Sequence, residues 1–84
     1  MIVWKLSDVY LEVYPNPAND YINVIIPDNS IQTISIIDVT GITVKEEQIT
    51  STHVTINTAD LPSGIYFIIG KGDDTVYKSR ITIK

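Results

Sequence analysis

Apolar and polar residues alternate along most of the chain, and turn-forming residues interrupt this pattern about every eight to twelve positions. Alternation with a period of two is typical of strands that bury one side, and no stretch shows helical periodicity. Isoleucine and valine predominate over leucine, which favours pleated strands. The pattern predicts seven strands, at residues 9–14, 21–26, 32–37, 42–49, 53–57, 65–69 and 75–83.

The strand pattern and the chain length together predict the fold. A length of 84 residues fits one domain. Seven short strands without helices favour an all-β fold, a seven-stranded antiparallel immunoglobulin-like β-sandwich, with a small closed barrel as the alternative. Residues 1–8 lack clean alternation and are interpreted as a linker, a terminal remnant or an extra edge strand. Trp4, within them, is better explained by packing than by ligand stacking. The domain is therefore predicted to span residues 9–84.

Two of the predicted connections carry specific turn chemistry. Pro15-Asn16-Pro17 fixes a stiff crossing between the layers, because proline restricts φ and lacks an N–H group. Asp38-Val39-Thr40-Gly41 predicts a hairpin turn in which Asp38 accepts local backbone bonds and Gly41 takes a positive φ. The strand after this turn carries charge on both sides. We therefore expect a protected edge strand with a bulge that turns Val44 and Ile49 inward.

The stretch from Leu61 to Gly70 is predicted to be a turn that leads into the central strand of a sheet. Pro62 suits the second position of a type I turn and Gly64 the fourth. The strand that follows is apolar on both sides, whereas a sandwich core needs only one. Either another segment covers the second side or that side meets a partner. The candidate partner-facing residues are Tyr66, Ile68, Ile81 and Ile83, although the last two also fit inward positions of the final strand.

Charge and composition narrow the function classes. The net charge of −4 argues against a nucleic-acid or anionic-membrane partner, since both need basic patches. Cysteine is absent, which removes disulfides, thiolate metal sites and cysteine nucleophiles. No apolar run is long enough to span a bilayer, so no membrane insertion is expected. No residue pattern implies a cofactor.

Catalytic and small-ligand sites find little support in the residue pattern. His53 is the single histidine and no Gly-x-Ser-x-Gly turn exists, so a Ser–His–Asp hydrolase is remote. Carboxylates in turns, such as Asp73 and Asp74 or Asp28 beside Asn29, could hold calcium but are better explained as solvated turn residues. Glu46 and Glu47 are adjacent strand residues that point to opposite sides. Exposed tyrosines raise one open alternative, a sugar-binding surface formed by Tyr10, Tyr14 and Tyr21.

Four short motifs occur in a fixed order and carry a family resemblance. They are Tyr14-Pro15-Asn16-Pro17-Ala18, then residues 37–44 around Gly41, then Leu61-Pro62-Ser63-Gly64-Ile65-Tyr66, and last Arg80-Ile81-Thr82-Ile83-Lys84. The ordered set resembles the C-terminal sorting domain (type A) of type IX secretion cargo in Bacteroidota. The likeness covers residues 9–84. Two positions depart from the family pattern: Ile42 stands where the family usually has lysine or arginine after the turn glycine, and Arg80 stands where lysine is commoner.

The resemblance implies a non-catalytic secretion signal made of a folded domain. It implies a larger cargo protein N-terminal to the domain in cis, and passage through the periplasm to the cell surface or the medium. The implied partners are components of the type IX translocon and a sortase that cuts upstream of the domain. The motif residues carried over are Pro15, Asn16, Pro17, Gly41, Leu61, Pro62, Gly64, Tyr66, Arg80 and Lys84, with the terminal strand as the direct contact. Self-association stays open.

A second hypothesis of a different class remains beside the first. The region from Leu61 to Tyr66 is similar to the tyrosine corner of fibronectin-III-like sandwiches. The chain would then be a carbohydrate-binding or fibronectin-III-like accessory module of an extracellular enzyme.

Overall fold

The computed structural model describes residues 11–26 and 31–84. These residues form seven strands and no helix. The predictions for residues 1–8, for Val9 and Tyr10, and for the Asp28–Asn29 turn lie outside the described residues. The strands are β1 (Glu12–Tyr14), β2 (Tyr21–Ile25), β3 (Ile31–Asp38), β4 (Thr43–Gln48), β5 (His53–Asn57), β6 (Gly64–Gly72) and β7 (Val76–Ile83).

The strands form two antiparallel sheets that face each other. One sheet has three strands in the order β1-β2-β5, and the other has four in the order β4-β3-β6-β7. Every strand pair is antiparallel. The predicted all-β, seven-stranded antiparallel sandwich is confirmed, and β6 lies between β3 and β7 as the expected interior strand of its sheet.

The core lies between the sheets and is built mainly from isoleucine. Alternate residues of each strand point into this layer, as expected from the period-two pattern. β-branched side chains fill the pleated surfaces well, so a core with little leucine can still be closely packed. The residues of the core cluster are Leu11, Ala18, Ile22, Val24, Ile26, Ile31, Ile34, Ile36, Ile56, Tyr66, Ile68, Tyr77, Ile81 and Ile83.

Strand β6 places its two apolar sides in different surroundings. Tyr66 and Ile68 point into the core, with exposed fractions of 5% and 0%. Gly70 continues this side, where a Cβ atom would lie 3.3 Å from Cδ1 of Leu11. Ile65 and Phe67 are on the opposite side and are 42% and 37% exposed. The expected second apolar side therefore exists, and it is the side of Ile65 and Phe67.

This placement corrects the candidate partner-facing surface. Tyr66 and Ile68 are buried, and Ile81 and Ile83 of β7 join the same core cluster. The physical reason is that the three-stranded sheet packs against this side of the four-stranded sheet. None of these four side chains is open to a partner in the folded domain.

Strand β4 forms the expected irregular edge. Ile36 pairs with Lys45 and Ile37 pairs with Thr43, so Val44 is an extra residue and forms a β-bulge. The bulge is confirmed, and Ile49 packs against the core. The expected inward position of Val44 is wrong, because its side chain is 36% exposed. The bulge and the charged residues beside it protect this edge from pairing with another chain.

Candidate functional site

The segment from Pro15 to Ala18 runs along the free edge of β7. Ala18 forms a parallel bridge with Ile83. The Ala18 N–H donates to the Thr82 carbonyl at 2.8 Å, and the Lys84 N–H donates to the Ala18 carbonyl at 2.8 Å. Ala18 is fully buried, which fixes the segment against the sheet. The first and last sequence motifs are therefore parts of one structure.

The side chain of Asn16 extends the same pairing. Its Nδ2 donates to the Arg80 carbonyl at 3.3 Å, and its Oδ1 accepts from the Thr82 N–H at 3.1 Å. The prolines on both sides have no N–H group to offer. One side-chain amide thus supplies the donor and the acceptor that a neighbouring strand would supply. We call these contacts of Asn16 and Ala18 with residues 80–84 the β7 clasp.

The corner before β6 is held by the ring of Tyr66. Its hydroxyl donates to the Pro62 carbonyl at 2.6 Å, four residues upstream, as in a tyrosine corner. Gly64 has a φ of 152°, which side-chain-bearing residues rarely adopt. A hydrogen-bonded turn occurs slightly earlier than predicted, since the Leu61 N–H donates to the Thr58 carbonyl at 3.0 Å. Leu61 itself packs against the core.

The turn between β3 and β4 has the predicted chemistry. Oδ1 of Asp38 accepts from the Thr40 hydroxyl at 2.6 Å, the Thr40 N–H at 2.9 Å and the Ile42 N–H at 3.1 Å. Gly41 has a φ of 92°. These bonds lower the pKa of the Asp38 carboxyl, the bond from the Thr40 hydroxyl most strongly and that from the Ile42 N–H next. The carboxylate organises the turn.

The strand register brings all four motifs to one end of the four-stranded sheet. Gly64 pairs with Ile83, which in turn bridges Ala18. Asp38 pairs with Tyr66, so the Gly41 turn projects from the same end. We call this end of the sheet the motif end. It gathers the residues singled out in the sequence, namely Pro15, Asn16, Pro17, Gly41, Leu61, Pro62, Gly64, Tyr66, Arg80 and Lys84.

The motif end offers an exposed surface of backbone and a few polar side chains. Pro15, Asn16 and Pro17 are exposed, as are Arg80 and Lys84. Tyr66 is buried and Leu61 half-buried, so these two act through structure. The motif end therefore presents turns and the two cations Arg80 and Lys84 to solvent.

Comparison with known families matches this ordered arrangement. The model of the secretion system C-terminal sorting domain family matches residues 12–84. The chain belongs to this family. The family match makes it a sorting signal of the type IX secretion system, so it belongs to an exported protein and acts with the secretion machinery on a cargo in cis. No curated protein matches the chain.

Within the described part of the chain, the other candidate catalytic and metal-binding residues do not come together in a site. His53 is exposed, and its Nε2 lies 3.3 Å from Oδ1 of Asn23. No group of three or more histidine, cysteine, aspartate or glutamate residues at positions 11–26 and 31–84 could hold a metal ion. A shallow groove of about 350 Å³ at the ends of β3 and β4 has no titratable side chain in its lining (Ile31, Gln32, Ile49, Thr50 and Ser51). Residues 11–26 and 31–84 also contain no helix long and apolar enough to cross a membrane.

The β7 clasp is the feature of the motif end that the sequence pattern missed. The motif indicated a stiff crossing, but not that the Asn16 amide would pair with a strand 64 residues away. The available signal was an asparagine between two prolines, the one polar side chain in a stretch where two of three residues lack a backbone N–H group. Which strand edge it meets depends on the packing of the two sheets.

Proposed function

We propose that the domain directs a larger cargo protein through the outer-membrane translocon of the type IX system by protein–protein recognition, without catalysis. The cargo precedes the domain in the same chain. It crosses the inner membrane with a signal peptide, passes through the periplasm and reaches the cell surface or the medium. A sortase at the surface removes the domain and attaches the cargo to lipopolysaccharide.

The observation that supports this proposal is the convergence of the four motifs at the motif end. Residues from positions 15 to 84 come together there only when the four-stranded sheet is formed and Ala18 pairs with Ile83 at its edge. A receptor that reads this composite surface would accept the folded domain and reject an unfolded chain. The exposed residues of the motif end are then the contact candidates, with Arg80 and Lys84 as the charged ones.

The proposal is tested by fusing the 84-residue chain to a periplasmic reporter with its own signal peptide. In a bacterium with the type IX system we expect the reporter on the cell surface, shortened by loss of the domain. The same strain without the translocon should keep the full-length fusion in the periplasm. Periplasmic retention in the intact strain, with the fusion shown to be folded by protease resistance, would rule out the proposed function.

One observation favours a second candidate, a carbohydrate-binding module. Tyr14 and Tyr21 are 43% and 48% exposed on the outer side of the three-stranded sheet. Tyr14 pairs with Asn23, whose Oδ1 accepts from the Thr55 hydroxyl at 2.8 Å. Aromatic rings beside amide and hydroxyl groups suit sugar rings. Glycan-array binding that disappears in Tyr14→Ala and Tyr21→Ala would support this candidate, and an array without signal would remove it.

A further inference from the structure

The outer side of β6 exposes apolar surface in the middle of the four-stranded sheet. Ile65 and Phe67 are 42% and 37% exposed, and Ile69 and the neighbouring Ile37 are half-buried on the same side. Phe67 pairs with Ile37, so the apolar side chains adjoin across two strands. Contiguous exposed apolar surface of this kind marks interaction sites in soluble proteins.

A row of cations on β7 lies directly beside this apolar strip. Ile69 pairs with Lys78 and Phe67 pairs with Arg80, so these side chains share the outer side of the sheet. Lys78 and Arg80 are both exposed. The one salt bridge within the described residues joins Lys45 and Asp60, so neither β7 cation is neutralised by an ion pair there. We call Ile65, Phe67, Ile69, Lys78 and Arg80 the β6–β7 face.

The charge of the β6–β7 face is opposite to that of the whole chain. The net charge of the chain is −4. On the outer side of this sheet, the paired strand positions that the structure describes include one carboxylate, Glu46 on β4, which already accepts from the Ser35 hydroxyl at 3.4 Å. Within residues 11–26 and 31–84, no ion pair supplies an acidic group to these cations, so they are open to carboxylates of another molecule.

We infer that the β6–β7 face docks an acidic protein surface, one with an apolar centre and carboxylates aligned along β7. This inference rests on the proposed function, since the secretion machinery supplies the partner. A membrane fits less well, because the net charge of −4 disfavours approach of the chain to an anionic lipid surface. A second copy of the chain also fits less well. The outer side of its four-stranded sheet would offer mainly one carboxylate, Glu46, to the cations.

The test begins with two pairs of substitutions in the reporter fusion. Ile65→Thr with Phe67→Thr removes the apolar strip but keeps strand-forming residues. Lys78→Gln with Arg80→Gln removes the cations. Thr50→Glu with Thr52→Glu, on the exposed loop before β5, is the matched control and lowers the net charge by the same two units. Melting temperatures of all variants are measured first, so that only folded proteins are compared.

We expect each β6–β7 variant to lower surface export of the reporter about tenfold or more, because one removes the apolar contacts with the partner and the other removes the charged contacts. The control should export normally. If the wild-type fusion is exported and the face variants match it, the inference is wrong while the proposed function stands. If the wild-type fusion is not exported, the proposed function is wrong, and the inference is judged on cross-linking.

Site-specific photo-cross-linking identifies the occupant. A benzoyl-phenylalanine at position 65 should cross-link to a protein peptide rich in aspartate and glutamate, whereas the same probe at position 21 should not. The cross-link should weaken in Lys78→Gln with Arg80→Gln. A fusion with Lys78→Glu and Arg80→Glu should lose export because its charges are reversed. Replacing the partner's carboxylates with lysines should restore export of that fusion. A cross-link to a second copy, binding to vesicles of anionic phospholipid, or no cross-link specific to position 65 would each overturn the inference.

Discussion

Strand β6 has two apolar sides, and their surroundings differ. On the inner side, Ile68 has no exposed surface and packs with residues of both sheets. On the outer side, Phe67 keeps 37% of its surface exposed and has Arg80 as its cross-strand neighbour. The residue types are similar on the two sides, so hydrophobicity along the strand does not distinguish them.

The comparison shows that two similar apolar sides of one strand contribute differently to stability. Burial of a large side chain on the inner side contributes roughly 1.5–3 kcal/mol. The outer side contributes less to folding, since much of its surface still contacts water. We infer that a partner, and not the core of the domain, accounts for the apolar residues there.

Truncating one side chain on each side of β6 tests most directly whether the two sides differ in their contribution to stability. Ile68→Ala should lower the free energy of unfolding by about 2–5 kcal/mol, because it leaves a cavity in the core. Phe67→Ala should cost about 1 kcal/mol or less, as for a cross-strand contact on a solvated side. Urea unfolding of the two variants measures both values. Equal losses would mean that the two sides are equally important to stability.

The second prediction concerns the glycine that begins β6. Gly64→Val should destabilise the domain by about 1–3 kcal/mol, because valine is strained at a φ of 152°. The change would also disturb the backbone at the start of β6, which directs the Tyr66 side chain into the core. Ser63→Val, at an exposed neighbour in the same corner, is the matched control and should have little effect. An unchanged melting temperature for Gly64→Val would refute the importance of this conformation.

A smaller effect is expected from the β7 clasp, which holds the strand whose alternate residues line the core and the β6–β7 face. Asn16→Ala removes two exposed hydrogen bonds and should cost about 1 kcal/mol. Hydrogen exchange of the Thr82 amide should become faster. Asn19→Ala, close by in the same loop, serves as the control. Unchanged exchange at Thr82 in Asn16→Ala would contradict the pairing of this side chain with β7.

The smallest effect concerns the Asp38 turn, which sets where β4 begins beside β3. The pKa of Asp38 in the folded protein lies below its ordinary value of 3.8 because the Thr40 hydroxyl and the Ile42 N–H donate to the carboxylate. Its contribution to stability is therefore fully present above pH 3.8 and is lost as the pH falls through the folded-state pKa.

The corresponding measurement is the melting temperature in acid. The wild-type melting temperature should fall more steeply below about pH 4 than that of Asp38→Asn. Thr40→Val removes the largest single cause of the shift, so its slope should lie between the two. Identical slopes for wild type and Asp38→Asn would show that the turn does not respond to this carboxylate.

The local features of this protein follow from its sequence alone. Alternation is a property of neighbouring residues, so it predicted seven strands and their inward positions, such as Ile22 and Ile56. The Asp38–Gly41 turn was predictable for the same reason, since its hydrogen bonds join residues at most four positions apart. The bulge in β4 was indicated by the charges that interrupt its pattern, although the exposure of Val44 was not.

Which side of β6 is covered depends on the packing of the two sheets. For a strand that is apolar on both sides, alternation does not tell the buried side from the exposed side. The pattern therefore places Tyr66 and Ile68 against a partner, although they form the core. The contact of Asn16 with β7 likewise joins residues 64 positions apart. Both depend on how the two sheets pack, which is a non-local property. That packing buries one side of β6 and leaves the other beside the cations of β7.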